Sequence, residues 1–364
     1  MGYKHLCYTD LVKFCIEVFK GYGFSEKDSQ TITDVLLEAD LSGIESHGIQ
    51  RLKRYHEEIT SKKLVDINGK PEVVFETPVS AVIEGNNGMG QLIATYAMET
   101  AIKKAKQSGV GLVTVRNSNH FGIAAYYVKM AIEENMLGVA MTNTEAIMVP
   151  TFGRQPMLGT NPIAVGMPAK PHPFLFDAST TVVPRGKLEV YAKRGNDIPF
   201  GWALNEKGHD CTDSNRVLKN IIAKSGGGIL PIGGSGELMG GHKGYGFGLI
   251  CELCTGILSG GTTSNYVYKK QGQSNIAHCF YAIDYGIFGD KEDIKLRFSK
   301  YLQELRDSSK AEGQERIYIH GEKEIEAHER IKATGVPVNE ITYEELCRIA
   351  EYTHADISLL KLLD

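Results

Sequence analysis

His47, Arg51 and Tyr55 recur every fourth residue in the run Ser46-His47-Gly48-Ile49-Gln50-Arg51-Leu52-Lys53-Arg54-Tyr55. On a helix this spacing puts them along one stripe, each ~40° round from the last. Ile49, Leu52 and Ile59 form an apolar stripe alongside. A guanidinium holds a carboxylate bidentately, and an imidazole with an ordinary pKa of about 6.5 can pass a proton to a carbonyl oxygen as hydride reaches the carbon. The set therefore suits a 2-oxo acid, with Ser46 either orienting the imidazole or capping the helix. The same spacing also suits an amphipathic helix with a solvated polar side, so the motif gains meaning only from others like it.

A second group of polar residues, Arg116-Asn117-Ser118-Asn119-His120-Phe121-Gly122, follows the apolar strand Gly109–Val115 and precedes a helix. That is a position from which backbone N–H groups and an imidazole are offered to a ligand. Thr142-Asn143-Thr144, Gly153–Pro162 and Phe176–Thr181 place hydroxyl and amide side chains at three further strand ends. Singly each reads as a turn; together they suit ribose and phosphate. The glycine-rich run Leu230–Gly248 leads into an apolar helix and carries Lys243, so close backbone approach, a helix N-terminus and a cation coincide. Neither G-x-G-x-x-G nor a Walker A loop occurs in the chain, which excludes Rossmann and P-loop readings on their own criteria.

The elements that position these groups follow from periodicity and capping. Helices are expected over Thr9–Phe19, Ser25–Leu41 (Ser25 and Asp28 forming a capping box) and Ser46–Thr60. From Val73 the pattern changes to the strand Pro78–Ile83, the helix Gly90–Ser108, the strand Gly109–Val115 and the helix Ile123–Asn135. Strands are then expected at Leu137–Thr142, Ile163–Met167, Phe174–Asp177, Leu188–Ala192 and His278–Ile283. With few helices between them, these favour an antiparallel or mixed sheet. Lys291–Lys310, Glu322–Thr334 and Thr342–Thr353 return to helix, the last with a capping box from Thr342 and Glu345; Lys269–Asn275 reads as a mobile loop. The expected fold class is α+β. A helical and dimerisation unit from both chain ends (1–72 plus 291–364) flanks a small α/β module (73–135) and a mainly antiparallel sheet domain (136–290).

Composition removes other classes of function. The chain has 364 residues, 42% of them hydrophobic, and a net charge of −4 from 40 basic and 44 acidic residues spread along its length. It presents no basic face for nucleic acid. No stretch is apolar enough to span a membrane, and Met1–Cys15 has the character of neither a secretory signal nor a transit peptide. Seven scattered cysteines in a chain of this size point to thiols in a reducing compartment, with the cytoplasm expected. Cys251 and Cys254 sit in an apolar run with no second Cys pair or His pair, so they read as buried helix residues; no metal site is expected.

Six colinear motifs resemble the malate/L-lactate dehydrogenase family that is unrelated to the Rossmann enzymes: Ala39–Leu52, Asn117–Gly122, Leu158–Pro162, Phe176–Thr180, Gly201–Ala203 and His242–Gly246. The family includes ureidoglycolate, sulfolactate and cyclic-imine-reducing members. The resemblance implies a homodimer in which helices from both chain ends support a non-Rossmann, mainly antiparallel sheet that binds NAD or NADP. It implies His47 as proton donor or acceptor with Ser46 beside it, and His120 as the competing candidate. Arg51, Tyr55 and Thr160 are implied at the substrate. His120, Phe121, Gly122, Thr144, Asp177, Ala178, Ser179 and Lys243 are implied at the cofactor, with the Gly313–Gly321 region at its pyrophosphate end. Pro184, where a small residue is more usual, and the long polar stretch Thr262–Asn275 depart from the pattern, so no contact after residue 260 is carried over.

Oxaloacetate/malate is the expected substrate, with ureidoglycolate, sulfolactate or a cyclic imine as alternatives. A dicarboxylate calls for a second cation, for which Arg154, Arg185 and Lys187 are candidates. A protein that binds nucleotide without chemistry would need the Arg51 clamp but not the acid beside it.

Overall fold

The computed structural model describes residues 3–363. Helices α1 (Tyr8–Gly21), α2 (Glu26–Leu41) and α3 (Leu52–Thr60) pack with α10 (Glu322–Thr334) and α11 (Glu340–Thr353). Strand β1 (Tyr3–Leu6) pairs antiparallel with β11 (Val336–Asn339), a pairing the sequence did not announce. Leu6, Phe14, Phe19, Leu36, Leu52, Ile331, Val336 and Leu346 share one buried cluster. Each of these helices has an apolar stripe that only the other chain end covers, so the two ends fold as one unit.

The centre is a seven-stranded sheet in the order β2-β3-β4-β10-β5-β6-β7. Its strands are β2 (Glu72–Glu76), β3 (Ser80–Glu84), β4 (Val110–Ser118), β5 (Leu137–Thr142), β6 (Ile163–Met167), β7 (Phe174–Ala178) and β10 (Ile276–Ile283). All neighbours are antiparallel except β3 and β4. That parallel pair is joined by helix α4 (Gly90–Ser108), the crossover a parallel connection requires. Alanines 94, 97, 101 and 131 let α4 and α5 (Ala124–Glu133) lie close on one face, over a core that includes Phe121, Tyr127 and Phe280. Because β10 pairs with both β4 and β5, segments 73–135 and 136–290 share a single sheet.

Between β7 and β10 the chain makes a second small core from α6 (Arg185–Lys193), β8 (Ala203–Leu204), α7 (Ser214–Ala223) and β9 (Gly228–Ile229). It then runs into α8 (Gly241–Glu252), which continues as a π turn over Leu253–Ile257 and sets Cys251 against Met141 and Cys279. Helix α9 (Lys291–Asp307) packs at the sheet edge through Leu302 and Phe298 against Ala169, Phe174 and Ile319.

Four expectations are corrected. Leu188–Ala192, read as a strand, is the body of α6; only Leu188 is buried, the pattern of a helix resting one face on a core. Pro184 sits at its N-cap, where a missing N–H costs nothing. The helix expected over Ser46–Thr60 begins only at Leu52, after 3-10 turns at Glu45–His47 and Ile49–Arg51. The cause is Asp40, buried on α2, whose Oδ2 accepts the Ile49 N–H at 2.6 Å and whose carboxylate fills the space a Gly48 side chain would need. Thr342 caps nothing: α11 starts at Glu340, and Asn339 Oδ1 accepts the Thr342 N–H at 2.9 Å. Ser25 does cap α2 through the Asp28 N–H, but the Asp28 carboxylate pairs with Lys70 rather than closing the box. Helix α7, capped by Asp213, was not foreseen at all.

Candidate active site

The hinge at Gly48 brings together what a straight helix was expected to align. Ser46 Oγ lies 3.0 Å from His47 Nδ1, and Arg51 Nε donates to the Ser46 carbonyl at 2.5 Å. The His47 ring stacks on that of His120 with centroids 5.7 Å apart. His120 sits in the turn after β4, where its Nδ1 is 2.8 Å from the buried Tyr55 hydroxyl and 3.4 Å from the Gly122 N–H that donates to it. Two donors on Nδ1 leave the neutral imidazole its proton on Nε2. Burial, reinforced by the cations of Arg51 and Arg54, holds His47 down at about 4. Burial, with Arg54 the strongest of the charges acting on it, puts His120 well below the ordinary histidine value. Both rings are therefore neutral near pH 7.

Beneath this pair, His278 on β10 lies 2.8 Å from Thr142 Oγ1 and 2.9 Å from Ser118 Oγ. Thr142 spends its own proton on main-chain carbonyls, so His278 donates from Nδ1 and accepts Ser118 at Nε2. Its ring stacks on Phe121 at 4.6 Å, with planes 2° apart. The Phe121 side chain is thus core, and what it offers a ligand is main chain.

A second cluster gathers at the other strand ends. The Thr144 hydroxyl accepts the Thr160 N–H at 2.9 Å, and Asn161 ties the Thr144 N–H to Glu252 on α8. Thr180 closes on the Thr160 carbonyl, and Ile232 donates to the Thr180 carbonyl. Asp177 Oδ2 accepts the Ala125 N–H at 2.8 Å and so satisfies the start of α5; burial raises its carboxyl to about 6. Ala178 ends β7 beside it, and the Ser179 hydroxyl donates to the Thr181 carbonyl. Lys243 lies in the first turn of α8, exposed on a cavity of about 510 Å³ lined by Gly233, Glu237, Met239, Gly240 and Phe247. At the outer edge of β7 the Leu175 N–H donates to the His320 carbonyl.

The profile of the malate/L-lactate dehydrogenase family matches residues 6–347. The chain belongs to this family. It is 46% identical to a malate dehydrogenase of Pyrococcus horikoshii over 94% of this chain and 93% of that one. It is 38% identical to an L-sulfolactate dehydrogenase of Methanocaldococcus jannaschii over 93% and 94%. The crystal structure of malate dehydrogenase from Entamoeba histolytica superposes with a TM-score of 0.93 at 34% identity, covering 98% of this chain and 99% of that one. The protein is thus a 2-hydroxy-acid dehydrogenase of non-Rossmann α+β fold, and the class implies a nicotinamide cofactor.

The dehydrogenase has residues that fit such a group. The N-terminus of α5 is already occupied by the Asp177 carboxylate, but α8 has Gly240 at its N-cap and so no side-chain cap, with Lys243 and the cavity beside it. Amide donors plus a cation at an open helix start suit a pyrophosphate. Three participants escaped the sequence reading. Arg54 joins Arg51 in acting on the imidazoles, yet looked like one more surface charge of a polar helix. Its i,i+4 partner Glu58, at 2.7 Å, was the available signal. Tyr268 and Ser264 lie in the polar stretch from which nothing was carried over. Tyr268 reaches Arg54 at 2.7 Å, and Ser264 reaches Asn161 and Glu252. The loop expected to be mobile is tied at both ends, by Tyr268 and by Ser274, which bonds the Ser118 carbonyl and Asn119. Of the candidates for a second cation, Arg154 donates to the Glu206 carbonyl and Arg185 pairs with Glu189, while Lys187 is exposed.

Proposed function

We propose that the protein interconverts oxaloacetate and malate with NAD(H) or NADP(H). The observation that carries this is Arg51, a half-buried guanidinium beside two neutral imidazoles that has no carboxylate partner among the described residues. A buried cation is ordinarily paired, so Arg51 is a site for an anion supplied by the substrate. The relatives named malate dehydrogenase give the substrate class.

In this reading Arg51 takes the carboxylate next to the reacting carbon, and Tyr55 and Thr160 border the substrate. When bound, the nicotinamide supplies or accepts the hydride. The His47/His120 pair moves the proton: Ser46 fixes the His47 ring, Tyr55 fixes that of His120, and the free Nε2 positions are left for the substrate oxygen. Burial is the main cause that depresses His47, and a carboxylate arriving on Arg51 offsets the cation's added share, which readies the pair to exchange a proton. His120, the Phe121–Gly122 main chain, Thr144 and Asp177–Ser179 border the cofactor, with Lys243 at its phosphates.

We also assign a homodimer in the cytoplasm, with the two-ended helical unit (1–72 plus 291–364) taking part in dimerisation. Supporting a dimer is the apolar strip of Phe247, Leu249, Ile250, Leu253, Ile257 and Leu258, each at least 44% exposed on α8 and its π turn and so outside that helical unit, and supporting the reducing compartment are seven unpaired thiols. No helix among the described residues is long and apolar enough to cross a membrane.

The test is NADH and NADPH oxidation with a panel of 2-oxo acids, read alongside His47→Asn and His120→Asn. Turnover with oxaloacetate, falling by about 100-fold or more in both variants, is expected. No turnover with any 2-oxo acid overturns the reading. Full activity in either variant removes that histidine from the mechanism. Light scattering at a protomer mass in solution would sink the dimer.

A further inference from the structure

A dicarboxylate brings two anionic groups, and Arg51 accounts for one. Arg54 lies three residues further on, so the two side chains leave adjacent turns of the same face. Both cations push the His47 pKa down, and Arg54 stands ahead of Arg51 among the charges acting on His120. Arg54 Nε donates to Glu58 Oε1 at 2.7 Å, and one Nη donates to the Tyr268 hydroxyl, also at 2.7 Å. The other Nη has no partner among the described residues and is not sealed in the interior; the side chain keeps 29% of its exposure. Glu58 is 4% exposed and fixes the guanidinium through its Nε.

Tyr268 completes the arrangement. Because Arg54 donates to its oxygen, its own O–H proton remains available to an acceptor. Tyr268 adopts a left-handed backbone, φ 59°, unusual for a bulky residue and held by its N–H bond to the Ser274 carbonyl. Such a conformation persists only where the surroundings impose it. Here they are the Ser274 anchor at Ser118 and Asn119, two residues and one residue before His120, and the hydroxyl contact to Arg54.

We infer that Arg54 and Tyr268 form a subsite for the distal anionic group, carboxylate or sulfonate, of a dianionic 2-hydroxy acid, and so set the preference for dianions over monoanions. The inference rests on the proposed 2-oxo-acid chemistry for its reaction, though not for its binding step. Arg51 orients the reacting end, Arg54 the far end, and the chain of the acid spans from one guanidinium to the other across the imidazole pair. Glu58 pairs with the Nε of Arg54, which leaves the second Nη for the ligand.

The test compares wild type, Arg54→Gln and Tyr268→Phe as the full protein with cofactor. kcat/KM is measured for oxaloacetate and pyruvate, and calorimetric affinity for two unreactive acids of equal chain length, succinate and butyrate. Arg54 also acts on the imidazoles, so the readout is the ratio: Arg54→Gln should lower the oxaloacetate/pyruvate ratio of kcat/KM by about 30-fold or more, the order expected for losing hydrogen bonds to a charged group. Tyr268→Phe, which removes only a hydroxyl, should shift the same ratio by about three- to tenfold. The succinate/butyrate affinity ratio should fall in parallel. An equal loss for both substrates makes Arg54 structural and overturns the inference, as does an unchanged ratio or a wild type that binds butyrate as well as succinate. If the wild type turns over no 2-oxo acid, the functional proposal fails, and the succinate/butyrate comparison alone still decides the subsite.

Discussion

Gly48 is the residue on which the placement of Ser46, His47 and Arg51 depends, and adding one methyl there tests the whole construction. Its φ is −86°, so alanine is not opposed by a left-handed backbone; the obstacle is space. A Cβ would fall inside contact distance of Oδ1, Cγ and Oδ2 of Asp40, a side chain only 4% exposed whose Oδ2 accepts the Ile49 N–H at 2.6 Å. Restoring ordinary carbon–oxygen separation requires a relative shift of about 1 Å. Overpacking of this kind costs about 1–3 kcal/mol, and breaking a buried hydrogen bond to a carboxylate adds about 1–3 kcal/mol. Gly48→Ala should therefore lose about 2–5 kcal/mol of stability, visible as a lower midpoint in urea. Activity should suffer more than stability, because a shift of about 1 Å in positioned catalytic groups can cost 100-fold in kcat. The double variant with Asp40→Ala isolates the cause. Once the carboxylate is gone, the methyl has room, so the double variant should be no worse than Asp40→Ala alone. Additive losses, or wild-type kcat in Gly48→Ala, would show that the Gly48–Asp40 contact does not hold the segment.

Two further outcomes follow from the imidazoles. Burial is the main cause that lowers His47 to about 4, with the Arg51 cation next, so Arg51→Met should let it rise part of the way back and move the acid limb of hydroxy-acid oxidation to higher pH; an unmoved limb would assign it to another group. His278 is fully buried, and burial lowers it to about 3. The unfolded chain protonates near 6.5 and the folded one does not, so its contribution to stability is complete above pH 6.5 and is lost as pH falls from 6.5 to about 3, at most about 5 kcal/mol. His278→Asn should be less stable at pH 7 but show a shallower decline between pH 6 and 4 in urea titrations; parallel curves would refute this.

The elements with strong local signals were legible. Gly90–Ser108, Leu137–Thr142, Ile163–Met167 and Glu322–Thr334 lie where periodicity and punctuation put them, because a helix face or a strand alternation is written into consecutive residues. What failed was decided by residues far away in the chain. The β1–β11 pair joins segments more than 300 residues apart, and neither strand is long enough to declare itself. Leu188–Ala192 has β-rich residues, but a core made by α7 takes up one helical face of it.

The site divides in the same way. His47, Arg51, Tyr55 and His120 could be nominated because each sits in a short run crowded with chemistry. Yet the reason given for the first three, a common helical stripe, was wrong, and they meet because Asp40 bends the chain at Gly48. Arg54 and Tyr268 could not be nominated, since a charge on a polar helix and a tyrosine in a polar loop are ordinary until the fold sets them 2.7 Å apart. A sequence motif marks the reacting end of the pocket, where groups of one segment must act together. The far end is assembled from separate segments, each unremarkable alone, and so differences in substrate among proteins sharing these motifs should concentrate there.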